Sequence, residues 1–353
     1  MSLDDKLSKY FPDYPKGDSV TIHMLLSHTS GITNYTDHDD FWEGPAFVRI
    51  SQDSLISTFR KKPYDFTPGT NCSYSNSGYI LLGRIIEKVS KEDYGSYLQK
   101  NIIQPAGMNY TGIDRIDSIM PMRARGYYQS RNGSYYNAGY ISFESIWSAG
   151  AIISTIDDLH SWTKSLHSNK IISAASVKRM TTQYGVTQDK DRFGYGLIID
   201  SVENHTRIWH DGNVPGYSSY VAYYPYDDLY IIALSNSSSN AAKIGTGLSH
   251  LVFGLEIEYP YVHKEITLSE QQLDKFTGKY RATTTFEIIK TNGKLYHKSA
   301  SGSETELKPE SDSRLFYNNY SDRQLQFVFN KNGEIVTVFL LDSGIKKEIG
   351  KID

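Results

Sequence analysis

From residue 195 onward the chain alternates short apolar runs with polar turns. The runs at 195–200, 208–220, 220–225 and 229–234 read as strands, and adjacent strands joined by short polar turns make an antiparallel meander. Gly212 and Gly216 interrupt the run Ile208-Trp-His-Asp-Gly-Asn-Val-Pro-Gly-Tyr-Ser-Ser-Tyr220. Glycine inside a strand weakens it, so these positions predict a bulge or a close approach to the backbone. Ahead of the meander the period becomes helical. Leu3, Leu7, Tyr10 and Phe11 share one helical face before Pro12 and Pro15 end it. Residues 21–32 predict a short helix closed by Gly31, with His28, Thr29 and Ser30 serving the last-turn backbone groups. One helical stretch, 54–61, lies within a polar and aromatic excursion over 33–66. Pro68-Gly69 marks a tight turn, and Tyr74-Ser-Asn76 follows on a loop at the mouth of a strongly apolar helix, 80–89. Further helices are predicted at 94–103, at 154–164 with Ser154 and Asp157 as its capping pair, at 172–183 and at 241–253.

Near 258–268 the character changes to that of a linker. Beyond it, apolar or alternating runs at 286–289, 294–297, 325–329 and 335–340 hinge on Asn292-Gly293 and Asn332-Gly333, both hairpin signals. The pattern predicts two domains. Residues 1–260 form an α+β domain, an antiparallel sheet flanked by helices. Residues 266–353 form a small antiparallel β domain, a barrel or half-barrel.

Composition narrows this picture. The 353 residues are 39% hydrophobic and 22% charged, a globular balance. A net charge of −3 gives no electrostatic reason to expect nucleic acid. Cys72 is the only cysteine, which excludes an intrachain disulfide and a cysteine-based zinc site. The ten histidines show no ligand spacing, so no metal or other cofactor is expected. No apolar run approaches the roughly 18 residues of a membrane span. The opening Met1-Ser-Leu-Asp-Asp-Lys is acidic and amphipathic, unlike a signal peptide. The expectation is a cytosolic protein, or a periplasmic or secreted one whose natural start has been removed.

Three motifs stand in order: Leu25-Leu-Ser-His-Thr-Ser-Gly-Ile32, Tyr74-Ser-Asn76, and His210-Asp-Gly212 followed by Pro215-Gly-Tyr-Ser-Ser219. With Pro68-Gly69, Gly78-Tyr79, Leu81-Leu-Gly83, Pro105-Ala-Gly-Met108 and Ser148-Ala-Gly150 between them, residues 2–255 resemble the serine β-lactamase and penicillin-binding-protein superfamily. The likeness is greatest to its class C, esterase and D-aminopeptidase-like branch. The C-terminal domain is similar to the lipocalin-like barrel that often follows such a domain. The resemblance implies acyl-enzyme chemistry on a small-molecule or peptide substrate. A serine in Ser-x-x-Lys attacks, Tyr74 is a base and proton relay, and Asn76 orients the substrate amide. His210 and Gly212 border the acyl group, and the Asn213 N–H is half of an oxyanion hole. The chemistry is coherent, because a serine at its free pKa needs an adjacent base and a tetrahedral oxyanion needs preorganised donors.

In that family Ser-x-x-Lys lies a few tens of residues before a segment like Leu3-Asp-Asp-Lys-Leu-Ser-Lys-Tyr-Phe-Pro12, at which this sequence opens. The two Ser-x-x-Lys matches present, Ser161-Trp-Thr-Lys164 and Ser343-Gly-Ile-Lys346, lie outside the family's context for a nucleophile. The expectation is therefore a serine hydrolase or peptidase fold without its nucleophile segment, inactive as given. The alternative is a non-catalytic binding or regulatory homologue that keeps the cleft. A sheet edge left without neighbours also invites a homo-oligomer. Histidine instead of lysine at 210 removes a permanent charge that could hold a substrate carboxylate. That favours esters, small peptides or D-amino-acid amides over penicillins.

Overall fold

The meander forms the centre of a six-stranded antiparallel sheet whose strands lie side by side in chain order. They are β1 (Gly185–Val186), β2 (Arg192–Phe193), β3 (Ile198–Val202), β4 (His205–Val214), β5 (Tyr217–Tyr224) and β6 (Leu229–Ser235). The structure, a computed structural model, describes every residue except 115–118, 121, 131–133, 238–239, 260, 319–321 and 353. It divides into two compact units, residues 1–128 with 137–245 and residues 129–136 with 246–353.

Period-2 alternation explains how the sheet is covered. Tyr220, Ala222 and Tyr224 of β5 point to one face and are fully buried, each aromatic ring contributing on the order of 2 kcal/mol. The first turn of the helix Ala241–Val252 lies on this face, where the Ala241 N–H donates to Ser218 Oγ at 2.9 Å. A Cβ on Gly245 would stand 2.1 Å from the Tyr220 ring, so only glycine fits there. The opposite face carries Tyr223 and Tyr230. Their rings meet His167 at 4.3 Å and His160 at 5.0 Å, both from the helix α4 (Ile156–His167), numbered after α1 to α3 below.

A second core is helical. α3 (Asn76–Ser90) buries Ile80, Leu81 and Ile85, and packs on α1 (Ile22–Leu26) and α2 (Gln52–Arg60). Ser75 caps α3 by accepting the Gly78 N–H, as a serine N-cap should. Asn76 is thus the first helical residue, and only Tyr74 and Ser75 of the Tyr-Ser-Asn motif precede the helix.

Three local expectations are corrected. Residues 3–11 make only a single 3₁₀ turn, Leu7–Lys9, because Lys6 bridges Thr21 and the Leu7 N–H donates to the Val20 carbonyl. Leu7 and Phe11 are buried all the same. The cap of α4 is Thr155, which accepts the Asp158 N–H at 3.2 Å, while Ser154 Oγ is engaged with Thr111 Oγ1 at 2.7 Å. Gly212 makes no bulge, since β4 and β5 pair without a break from Ile208↔Tyr223 to Val214↔Tyr217.

The second unit contains a closed eight-stranded antiparallel barrel. Its strands run from Gly278–Arg281 to Ile345–Ile352, and the first closes on the last through Tyr280↔Lys351. Asn292 and Gly293 both take positive φ, 52° and 72°, between Thr291 and Lys294, the tight turn that an Asn-Gly pair favours. Tyr280, Leu315, Leu325 and Phe327 are buried, and Phe276 packs against Phe327 at 4.8 Å. Pro260, at the expected domain boundary, lies outside the described residues. No described helix is long and apolar enough to cross a membrane.

Candidate active site

Tyr74 lies on the short extended segment that leads into the Ser75 cap, so the helix core behind it fixes its backbone. The Ser73 N–H donates to the His28 carbonyl at 3.0 Å and the Ser75 N–H to His28 Nδ1 at 3.1 Å. Tyr74 is 37% exposed, and its ring stands 6.0 Å from the His210 ring and 5.9 Å from Phe193. Crowding by protein and then the charge of Asp211 push its phenol up to about 12. At neutral pH Tyr74 is a protonated hydroxyl able to donate. Asn76 is held at both ends: its N–H donates to Asn34 Oδ1 at 3.0 Å and its side-chain nitrogen to Thr36 Oγ1 at 3.0 Å.

The opposite wall is the end of β4. Pro215 and Gly216 form the two-residue turn, with Gly216 at φ +80°. Val214 and Tyr217 are therefore the closing hydrogen-bonded pair, and hydrogen-bonded pairs alternate with non-bonded ones along the ladder. Asn213, opposite Ser218, falls in a non-bonded pair. Its N–H points away from β5 toward the side where β3 would continue. β3 pairs with β4 only as far as Ile198↔Trp209, so no described strand meets that N–H. His210 Nδ1 donates to the Asp211 carbonyl at 2.5 Å, which leaves Nε2 as the ring's acceptor. A Cβ on Gly212 would meet Ser219 Oγ at 2.7 Å and no other heavy atom within 4 Å. That side of the strand is open.

Tyr74, Asn76, His210, Gly212 and Asn213 all line one cleft of the first unit. Among the described residues its charged lining is Asp37, Asp65, Asp157, Asp189, Asp191 and Asp211 against Arg123 and Arg179, with no lysine. Burial, then Asp189 and Asp211, raise the Asp191 carboxyl above the usual range, and His210 acts the other way. The cleft thus has more negative charge than it neutralises. Among the described residues no cluster of three His, Cys, Asp or Glu could hold a metal.

The two other Ser-x-x-Lys matches are elsewhere. Ser161 lies within α4 and Lys164 is exposed on it; neither lines the cleft. Ser343 lies in the barrel's last turn and Lys346 in the strand after it, where Lys346 faces Glu256 and Glu258. Two carboxylates and one hydrogen bond escaped sequence reasoning. Asp189 and Asp191, around the turn between β1 and β2, carry no motif, and the side-chain bond of His28 reaches 47 positions along the chain.

The family model described as Beta-lactamase matches residues 1–248. The chain is similar to Penicillin-binding protein 4* of Bacillus subtilis, 28% identical over 347 residues, covering 90% of this chain and 75% of that protein. It is also similar to the teichoic acid D-alanine hydrolase of Staphylococcus aureus, 22% identical over 245 residues, covering 69% of this chain and 58% of the other. The octameric penicillin-binding protein homologue from Pyrococcus abyssi superposes with a TM-score of 0.67 at 26% identity, covering 99% of this chain and 83% of that one.

Proposed function

The chain belongs to the Beta-lactamase family, whose model spans residues 1–248, and from that premise we propose that its cleft binds the acyl group of an ester or amide carrying a free ammonium. The observation that carries the reading is the convergence of Tyr74 and Asn76 with His210, Gly212 and Asn213 on one cleft. Tyr74 relays a proton to or from the reacting oxygen, and its raised pKa means that it starts as the donor. Asn76 turns its carboxamide oxygen to the substrate N–H. The free Asn213 N–H polarises the carbonyl, the largest kind of contribution in acyl transfer. Gly212 leaves room for the acyl chain, and His210 borders it.

The acidic lining chooses between substrate classes. A β-lactam or a C-terminal peptide brings a carboxylate, which this cleft repels and has no lysine to hold. An aminoacyl ester or amide brings an ammonium, which Asp189, Asp191 and Asp211 attract. One relative is named a teichoic acid D-alanine hydrolase, and a D-alanyl ester is a substrate of this charge.

None of the chain's own Ser-x-x-Lys pairs supports a nucleophile assignment. The 353-residue polypeptide is therefore expected to bind such ligands and to turn over D-alanine esters or nitrocefin negligibly. The test is titration calorimetry with D-alaninamide and with benzylpenicillin. D-Alaninamide should bind, and Tyr74→Phe combined with Asn76→Ala should weaken it at least tenfold. Preferential binding of benzylpenicillin, or no binding of either, would sink the reading. Rapid nitrocefin hydrolysis would sink the expectation of inactivity and with it the alternative of a non-catalytic homologue. The barrel, with Phe276, Tyr280 and Phe327 filling its interior, is proposed as a structural module and not as a ligand carrier of lipocalin type.

A further inference from the structure

His28 grips the residues on both sides of Tyr74. Its carbonyl oxygen accepts the Ser73 N–H at 3.0 Å, and its ring Nδ1 accepts the Ser75 N–H at 3.1 Å. Tyr74 is the residue between those donors. Its ring lies 4.6 Å from the imidazole and tilts 34° to it, Tyr79 stacks on the imidazole at 5.1 Å, and Phe193 meets it edge-on at 4.8 Å. One residue therefore touches the Tyr74 segment through backbone and ring together.

Two features set this histidine apart from an ordinary helix-end residue. It takes φ +59°, a left-handed conformation that a residue with a Cβ rarely adopts and that persists where the surroundings over-determine it. Here the twist aims the carbonyl and the ring at the same segment. The second feature is the proton. A backbone N–H only donates, so Nδ1 is bare and the proton sits on Nε2. Nε2 is buried without a protein partner, in a residue only 2% exposed. Burial, and then the nearby His210, lower the imidazole pKa to about 3, so the ring stays neutral.

We propose that His28 is a positioning residue, which as a neutral Nε2–H imidazole fixes the 73–75 segment and so directs the Tyr74 phenol toward His210. A second proton on the ring would take the lone pair that holds the Ser75 N–H and release the segment. The catalytic meaning rests on the role proposed for Tyr74; the geometric claim is tested apart from it.

The full chain is labelled with 3-fluorotyrosine and with ¹⁵N, and Tyr74→Phe identifies the Tyr74 fluorine resonance. In the wild type, His28 Nδ1 should give the shift of an unprotonated ring nitrogen at pH 7, and a protonated Nδ1 would overturn the proposal without any substitution. His28→Phe keeps a ring and removes the acceptor. It should speed exchange of the Ser75 amide at least tenfold and move or broaden the Tyr74 resonance. His28→Asn tolerates positive φ and offers an amide oxygen near the Nδ1 position, so it should restore Ser75 protection to within about twofold. Unchanged Ser75 exchange and an unmoved Tyr74 signal in folded His28→Phe would refute the clip, as would a failure of His28→Asn to restore protection. If His28→Phe does not fold, the wild-type nitrogen shift and His28→Asn still decide. None of these signals depends on turnover, so absent ligand binding would count against the reading of the cleft alone.

Discussion

Neutral His28 ties stability to pH. Its folded pKa, about 3, lies below the ordinary 6.5, so the unfolded chain binds the proton more readily. The stability it contributes is complete above about pH 6.5 and is lost as pH falls from there toward 3, at a limiting slope of about 1.4 kcal/mol per unit. Urea unfolding at pH 7 and pH 4.5 should show the wild type losing on the order of 2 kcal/mol more than His28→Asn; equal losses would contradict a buried neutral imidazole. Gly212 acts on binding instead. Its added Cβ would meet only the small hydroxymethyl of Ser219, so Gly212→Ala should cost less than about 1 kcal/mol of stability and yet weaken D-alaninamide at least tenfold. The residue scale is also where sequence reading was least complete. Gly212 was legible as special but left a bulge and a close approach to the backbone both open, because a strand residue kept small for an open flank looks the same in sequence as one that breaks a ladder. His28 read as a helix-end residue, because the partner of its ring is distant in sequence and becomes visible only when two loops meet.

Elements were more legible. The meander was readable because β3 to β6 combine apolar runs with short polar turns, and their register follows from those turns. The apolar helix behind Tyr74 was equally plain, since Ile80, Leu81 and Ile85 follow a helical period and are all buried. The cap of α4 moved by one residue because Ser154 and Thr155 are both competent caps, and the first of them is engaged by the Thr111 hydroxyl, 43 positions away. Barrel strands such as Glu304–Pro309 and Ile345–Ile352 did not stand out. In a closed barrel one face of each strand is wet, so Lys346, Lys347 and Glu348 belong to a strand that composition alone reads as a loop. Packing between elements gives a sharp prediction at Gly245. Its Cβ would stand 2.1 Å from the Tyr220 ring, and a ring buried against a sheet cannot retreat. Gly245→Ala should therefore cost about 3 kcal/mol, measured by chemical denaturation, whereas an Ala242→Ser control one turn away should stay within about 1 kcal/mol.

At the scale of the molecule, the α+β unit and the closed barrel match the architecture that the motif order implied. The substrate charge was not legible, because a net charge of −3 conceals the local excess of carboxylates that folding gathers at one cleft. β6 closes one side of the six-stranded sheet and, among the described residues, has a single strand neighbour in it, β5. An unpaired strand edge is a template for another chain. Light scattering across a hundredfold concentration range should reveal self-association, reduced by Leu234→Pro, because the Leu234 N–H lies on the side of β6 away from β5; a monomer throughout would argue against edge pairing.

The early end of β3 has a stereochemical consequence. Beyond Trp209, the N–H groups of Asp211 and Asn213 meet no described strand, while the Asp211 carbonyl is taken by His210, so a ligand lying there behaves as a guest strand. In a strand the alternation of side chains is dictated by handedness at each α-carbon. Inverting one centre while the guest's backbone stays in register sends its side chain to the other side: into the gap beside Gly212, or against Tyr74. Such an edge sorts mirror images without any pocket shaped for a particular side chain, and D- and L-alaninamide should differ in affinity on this chain even though they are alike in charge, size and composition.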